Sequence, residues 1–338
     1  MPKSNSRVFI IAEVAQAHDG SLGMAHSYID LAAKCGADAV KFQTHIASAE
    51  STPSEPWRVK FSTQDKNRYE YWKRMEFSKE QWKELSDHAV EKGLLFMSSP
   101  FSIEAAELLM EIGIKMWKVA SGEVSNIPLF DFINESKLPV FLSTGMSSME
   151  EIDTAVDYLS KGSPDITIMQ CTSMYPTPPE KTGLNLIPLF KERYNCKAGL
   201  SDHSGEPYAC LAAAAIGADV LEAHITFSRE MFGPDVPVSL DETAFTKMVE
   251  GVRIIEEMNN NPVDKDKLFE ELTPMRKLFT RSIVARKNIA PGTIITEEFI
   301  VFKKPGTGVS PENAQELLGK KAIRELKADE IINLSDVE

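Results

Sequence analysis

The chain has 338 residues, with 37 Lys and Arg against 50 Asp and Glu, a formal charge of −13, and 43% hydrophobic residues. At about 150 residues per domain this is a folded protein of about two domains, and the composition excludes an intrinsically disordered chain. The acidic excess argues against nucleic acid or an anionic membrane as partner, although a local positive site can oppose net charge.

At the N-terminus, Val8–Ile11 is too short for a signal peptide and no cleavage site follows it. No apolar run further on approaches the ~20 residues that span a bilayer. Cys35, Cys171, Cys196 and Cys210 have neither CxxC nor finger spacing and read as reduced packing residues. The expectation is a soluble, cytoplasmic protein.

Eight short apolar runs follow in order: Val8–Ala12, Ala37–Phe42, Leu94–Met97, Met116–Val119, Val140–Leu142, Ile166–Met169, Lys197–Leu200 and Val220–Ala223. Amphipathic stretches such as Met24–Lys34, Lys79–Lys92, Ile103–Ile112, Ser148–Ser160 and Pro207–Ile216 flank them. Nearly continuous apolar strands fit a parallel sheet covered by helices. Eight βα units over ~250 residues predict an α/β fold, a (β/α)8 TIM barrel over residues 1–255. An open doubly wound sheet is the alternative, but the Gly-rich fingerprint of its dinucleotide-binding form is missing after the first strand.

The stretch 44–78 reads as a long irregular loop, the kind that serves as a lid or specificity loop. Residues 256–280 read as a polar linker with some helix. Beyond them, short β-like pieces at Ser282–Ala285, Ile294–Ile295, Phe299–Phe302, Lys321–Ile323 and Ile331–Leu334 alternate with Pro-Gly turns. Residues 281–338 therefore read as a small β-rich domain. At roughly 58 residues it is marginal alone and is expected to pack on the barrel or on a second subunit.

In a barrel of this kind the active site lies at the C-terminal ends of the strands. All eight expected strands deliver polar groups there. Strand one ends at Glu13, an acid that is costly after four apolar residues unless paired or used as a base. Lys41 and Gln43 end strand two, Ser99 strand three, Lys118 strand four, with Ser121 and Glu123 just after. Then come Ser143, Cys171 with Ser173 and Tyr175, Ser201 with His203, and Glu222 with His224. A lysine facing a barrel mouth needs an anionic partner. With the serines, Lys41 and Lys118 suit a phosphate and a carboxylate; either would also serve as a Schiff-base lysine or snorkel to solvent. His203 and His224, on neighbouring strands, can share a divalent metal or simply hydrogen-bond. A two-His site completed by oxygens suits Mn²⁺, Fe²⁺, Co²⁺ or weakly held Mg²⁺ better than structural zinc. Glu123 and Asp235 suit sugar hydroxyls.

Those residues fall in a series of ordered motifs: Ile11-Ala12-Glu13, Val40-Lys41-Phe42-Gln43-Thr44-His45, Ser99-Pro100-Phe101-Ser102, Trp117–Glu123, Leu142–Met146, Cys171–Pro178, Gly199–His203, Glu222-Ala223-His224 and Gly233-Pro234-Asp235. The series resembles the bacterial sialic acid synthases, phosphoenolpyruvate-dependent synthases of nine-carbon 2-keto-3-deoxy sugars. The tail around Lys303–Gly308 resembles that family's antifreeze-like (SAF, β-clip) domain. The resemblance implies condensation of phosphoenolpyruvate with an N-acetylmannosamine-type aldose and water. It implies Lys41, Ser99, Lys118, Ser121, Ser143, Ser173 and Ser201 as phosphoenolpyruvate contacts. Gln43, Glu123, Tyr175, Asp235 and Lys304 are implied as sugar contacts, and Glu13, His203 and His224 as catalytic residues. The two histidines would carry the metal, Mn²⁺ first, with Mg²⁺ or Co²⁺ as alternatives. A homodimer is implied in which the small domain covers the partner's barrel.

Several positions depart from the family pattern. Ala17-His18-Asp19-Gly20 stands where Asn-His-Asn-Gly is usual, Ser173 where asparagine is usual, and Lys304 where an arginine is common. Residues 51–77 do not resemble the usual segment. The departures cluster on the sugar side, so a deoxy-diacetamido hexose giving a legionaminate- or pseudaminate-type product is an alternative. A shorter-sugar phosphoenolpyruvate synthase, a Schiff-base aldolase and a non-catalytic glycan-binding protein are further ones.

Overall fold

In the computed structural model, which describes residues 7–338, all eight apolar runs become strands. They are β1 (Phe9–Ala15), β2 (Ala39–Thr44), β3 (Leu95–Pro100), β4 (Trp117–Val119), β5 (Val140–Ser143), β6 (Ile166–Cys171), β7 (Lys197–Asp202) and β8 (Val220–Ile225). They pair in parallel in the order β3-β2-β1-β8-β7-β6-β5-β4, and β3 and β4 come together to nearly close the cylinder. Most strands run one to three residues past the apolar pattern. Polar residues sit on the strands themselves at that end, so hydrophobicity alone stops short of it. A two-residue strand, β9 (Ser239–Leu240), adds to β8. The segment 1–6, expected to carry no leader, lies outside the described residues.

The outer helices are α1 (Leu22–Lys34), α2 (Ala47–Glu50), α3 (Arg68–Met75), α4 (Lys79–Glu91), α5 (Ile103–Glu111), α6 (Ile127–Ser136), α7 (Met149–Leu159), α8 (Leu186–Tyr194), α9 (Tyr208–Ala215) and α10 (Glu242–Asn260). Local chemistry starts several of them. Ser78 with Gln81, and Ser148 with Glu151, form reciprocal capping boxes that satisfy otherwise orphaned N–H groups. Ser102, the last residue of one motif, caps α5 through a 3.1 Å bond from the Ala105 amide. Its role is structural.

Period-two alternation sorts each strand into two faces. Outward residues such as Ile10, Ala12, Val40, Phe42, Leu142, Ile168 and Leu200 pack against the helices. Inward residues Ile11, Ala39, Met97, Phe141, Met169 and Val220 fill the barrel as an apolar layer. Two residues further along β1, β2, β3, β5, β6 and β8 stand Glu13, Lys41, Ser99, Ser143, Cys171 and Glu222. The barrel axis thus changes from hydrocarbon to charge within one residue pair.

The stretch 44–78 is largely irregular, as expected, with residues 51–67 forming no regular element, but it also holds α2 and α3. Tyr71, Trp72 and Met75 of α3 belong to a small buried cluster there. One expected boundary shifts. The chain divides after Asn261, not at 255. α10 continues because Arg253 reaches Asp38 at 2.9 Å and Glu256 at 2.8 Å, while Glu256 also receives the Val8 amide. These bonds close the strand N-terminal end of the barrel.

In the second unit, Pro262–Glu338, most of the expected linker is helical: α11 (Lys265–Glu271) and α12 (Thr273–Phe279). The remainder pairs β10 (Ser282–Ala285) with β11 (Ile300–Lys303) in antiparallel fashion. Ile294, Lys321, Ala322 and Ile331 add only isolated bridges. Ile283, Ala285, Ile289, Ile295, Ile300, Leu317, Ala322, Leu326, Ile332 and Val337 make a separate core. Among the described residues no helix is long and apolar enough to cross a membrane.

Candidate active site

The parallel register places the inward polar residues side by side. Glu13 is aligned with Lys41 on one side and His224 on the other, and Ser201 with Glu222. The contacts follow. Lys41 Nζ lies 2.7 Å from Glu13 Oε2 and 3.7 Å from Glu222 Oε1. Lys118 Nζ donates to both Glu222 oxygens, at 2.8 and 3.0 Å, and Ser201 Oγ donates to Oε1 at 3.0 Å. Gln43 Nε2 donates to Glu13 Oε1 at 2.8 Å. The four charged groups are buried.

Charges taken out of water need partners, and these partners reset one another. Burial raises the Glu13 carboxyl, and Lys41 opposes this only in part. Burial would raise Glu222 as well, but Lys118 and Lys41 overrule it and hold that carboxyl well below the usual range. For Lys41, burial is outweighed by Glu13 and Glu222, so its ammonium is strengthened. For Lys118 burial wins and the amine pKa falls.

Hydroxyls surround the lysines. Ser99, Ser143 and Ser201 are buried, and Ser143 Oγ has no hydrogen-bond partner among the described residues. Ser121 Oγ accepts from the Gly145 amide at 3.0 Å, and the Ser173 amide donates to the Gly145 carbonyl at 3.2 Å. A Cβ on Gly145 would stand 2.4 Å from Ser173 Oγ, 2.8 Å from Ser121 Oγ and 2.9 Å from Cys171 Sγ. Only glycine leaves that space open.

His203 and His224 face each other with ring centroids 5.3 Å apart. Burial holds both neutral, with His203 down at about 3 and His224 also lowered. His203 Nδ1 sits 3.0 Å from the Thr172 carbonyl oxygen. It therefore carries the proton, and Nε2 keeps its lone pair, the tautomer a metal ligand needs. Among the described residues no cluster of three or more His, Cys, Asp or Glu side chains is arranged to hold a metal. The pair fits an ion whose remaining positions are filled by water or substrate oxygen.

One cavity of about 460 Å³ unites these residues, within the range of small-molecule sites. Of the residues singled out from the sequence, all but Lys304 line it. Lys304 belongs to the second unit, where its ammonium stands 5.2 Å above the Phe279 ring. Glu123 sits on a 3₁₀ turn, accepts from Asn126 at 2.7 Å, and is raised by burial. Three contributors carry no assigned role in the sequence reading. Glu222 is the counter-ion of both lysines; its signal was available, because it shares a face with His224 at i, i+2. His45 is stacked between Trp72 and Phe101 at 4.0 and 4.4 Å and bonds Glu50 at 2.6 Å. Arg58 reaches Asp235 at 2.6 Å from a stretch without periodicity, so no pattern marks it.

Known proteins resemble this chain over nearly its whole length. The NeuB family model matches residues 28–264, and a SAF domain model matches residues 280–338. The chain belongs to the NeuB family. Its SAF domain occupies the β-rich tail. The N,N'-diacetyllegionaminic acid synthase of Campylobacter jejuni is 33% identical over 96% of this chain and 99% of its own length. Pseudaminic acid synthase of the same species is 34% identical over 99% and 98%. Human N-acetylneuraminate-9-phosphate synthase is 33% identical over 96% and 91%. The crystal structure of a sialic acid synthetase from Leptospira borgpetersenii, in complex with citrate, superposes with a TM-score of 0.69 at 31% identity, covering 81% of this chain and 94% of that one.

Proposed function

We propose that this NeuB family member condenses phosphoenolpyruvate with an N-acylated hexose and water, giving a nine-carbon 2-keto-3-deoxy sugar acid and phosphate. The observation that carries the reading is the convergence of two buried lysines and two neutral imidazoles in one cavity. Relatives named as N,N'-diacetyllegionaminic acid, pseudaminic acid and N-acetylneuraminate-9-phosphate synthases align over nearly the whole chain.

Lys41 and Lys118, with Ser99, Ser121, Ser143, Ser173 and Ser201, suit a ligand carrying both phosphate and carboxylate. Each ammonium keeps N–H donors beyond those spent on Glu13 and Glu222. The acceptor lies between Gln43, Glu123, Tyr175 and Asp235. A new bond forms between C3 of phosphoenolpyruvate and the aldehyde carbon, and the aldehyde oxygen takes a proton. Water adds at C2, losing its proton, and the C2–O bond to phosphate then breaks. Glu13, raised towards neutrality, is suited to receive and return that proton. His203 and His224 would hold a divalent ion, Mn²⁺ first, with Mg²⁺ or Co²⁺ as alternatives, which supplies polarisation of the aldehyde.

The acceptor is of the N-acetylmannosamine type or a deoxy-diacetamido hexose, and relatives of both kinds stand at similar identity. A second copy of the chain completes the enzyme in this reading, its small unit bringing Lys304. The exposed row Val263, Phe269, Leu272, Met275, Leu278 and Phe279 supports burial of that unit on a partner. Phosphate release from phosphoenolpyruvate, assayed with Mn²⁺ over a panel of N-acylated hexoses, is the test. Release with none of them overturns the reading. The lowered amine of Lys118 favours a Schiff-base aldolase as second reading. Borohydride trapping with pyruvate distinguishes it: an adduct on Lys118 or Lys41 supports the aldolase.

A further inference from the structure

The segment carrying Arg58 is anchored on both sides. Trp57 and Phe61 pack on Tyr71 of α3, with centroids at 5.9 and 5.1 Å, and Phe61 also meets Phe232 at 5.4 Å. The anchored guanidinium stands over the ring of Tyr175, its carbon 4.1 Å from the centroid, and donates through Nη2 to Asp235 Oδ1 at 2.6 Å. Tyr175 in turn lies against His203, with ring centroids 4.2 Å apart and the rings tilted by 35°. A single side chain from the β2–α4 connection therefore holds one residue after β6 and another after β8. Both line the part of the cavity assigned above to the acceptor. A guanidinium has five N–H donors in a fixed fork. Among the described residues Nε and Nη1 of Arg58 make no hydrogen bond, and the side chain is 37% exposed at the cavity rim. Those free donors call for an oxygen acceptor, and the aromatic anchors beside them suit a methyl group.

We propose that Arg58 is the acceptor-specificity residue: it positions Asp235 and Tyr175 and gives its free N–H groups to the acyl carbonyl of an N-acylated sugar. The inference rests on the synthase reading above. An acyl carbonyl meets the planar fork while its methyl lies against Trp57 or Phe61. A sugar with a bare hydroxyl at that carbon leaves the fork to water.

Steady-state kinetics on full-length wild type, Arg58→Ala and Arg58→Lys test it, each protein checked for an unchanged thermal midpoint. Each is assayed with an N-acylated hexose and with the same hexose lacking the acyl group. R58A is expected to raise the acceptor KM about tenfold or more, while phosphoenolpyruvate KM and kcat stay within about twofold. The ratio of kcat/KM between acylated and unacylated sugar should collapse towards one. R58K keeps the charge on Asp235 but loses the stack and the fork, so it should recover part of the KM and little of the discrimination. An active wild type whose R58A variant keeps both KM and discrimination overturns the role of Arg58 alone. A wild type that releases no phosphate with any acceptor overturns the synthase reading and this inference with it.

Discussion

A carboxylate between two ammonium groups stabilises a buried site only while all three charges are present, and Glu222 stands in that position between Lys118 and Lys41. Glu222→Gln keeps the shape and removes the charge. Lys118 then has no carboxylate in contact among the described residues. Breaking a buried pair in this way costs about 3–5 kcal/mol, so the urea midpoint should fall clearly. A midpoint within error of wild type would mean that water, not Glu222, compensates Lys118. His18 gives a complementary prediction in acid. Its imidazole is buried beside Phe77 and Phe42, and burial lowers its pKa from 6.5 to about 3. The folded form stays neutral while the unfolded chain takes up a proton below 6.5. Its contribution is therefore whole above that pH and is lost as pH falls towards 3, at about 1.4 kcal/mol per pH unit for one proton. His18→Gln retains an acceptor for the Gly20 amide, which now donates to Nδ1 at 3.1 Å. The variant should flatten stability against pH over that window by one proton; an unchanged slope would show that His18 titrates freely.

At the scale of elements, the strands explain why so much of the site is legible without coordinates. Inward positions on a barrel strand are two apart, so Ile11 leads to Glu13, Ala39 to Lys41 and Val220 to Glu222. Reading one polar residue past each apolar run finds the mouth. The same logic fails between strands. Arg58 and His45 owe their places to packing across the β2–α4 connection, where Trp57, Phe61, Tyr71 and Trp72 interlock, and no period announces which of them meet. Gly199 is a test of the strand argument. A Cβ there would come within 2.1 Å of the Val220 carbonyl oxygen, so β7 lies against β8 only because this residue lacks one. Gly199→Ala must push the two strands apart and carry Ser201 away from Glu222. The expected cost is about 3 kcal/mol or more, with loss of phosphoenolpyruvate binding. Calorimetric titration of a soluble variant that binds normally would refute the dependence of the site on this contact.

The whole molecule joins a large catalytic unit to a small one with its own ten-residue core, and the apolar row on α11 and α12 remains exposed within a single chain. The −13 charge of the chain says little about the cavity, where two lysines balance two glutamates and leave anion binding to local geometry. A division of labour follows if the small unit serves a second copy. The proposed phosphoenolpyruvate contacts all come from barrel strands and their loops, whereas Lys304 is the one proposed acceptor contact in the small unit. A protein ending at Asn261 should therefore bind phosphoenolpyruvate within about twofold of the full chain but show an acceptor KM raised about tenfold or more. The proposed dimer predicts that the truncated protein sediments as a monomer and the full chain as a dimer. If truncation leaves the acceptor KM unchanged, Lys304 has no part in the site and the exposed row on α11 and α12 serves another contact. If both substrates suffer equally, the small unit supports the barrel fold, and the melting temperature of the truncated protein would fall in step.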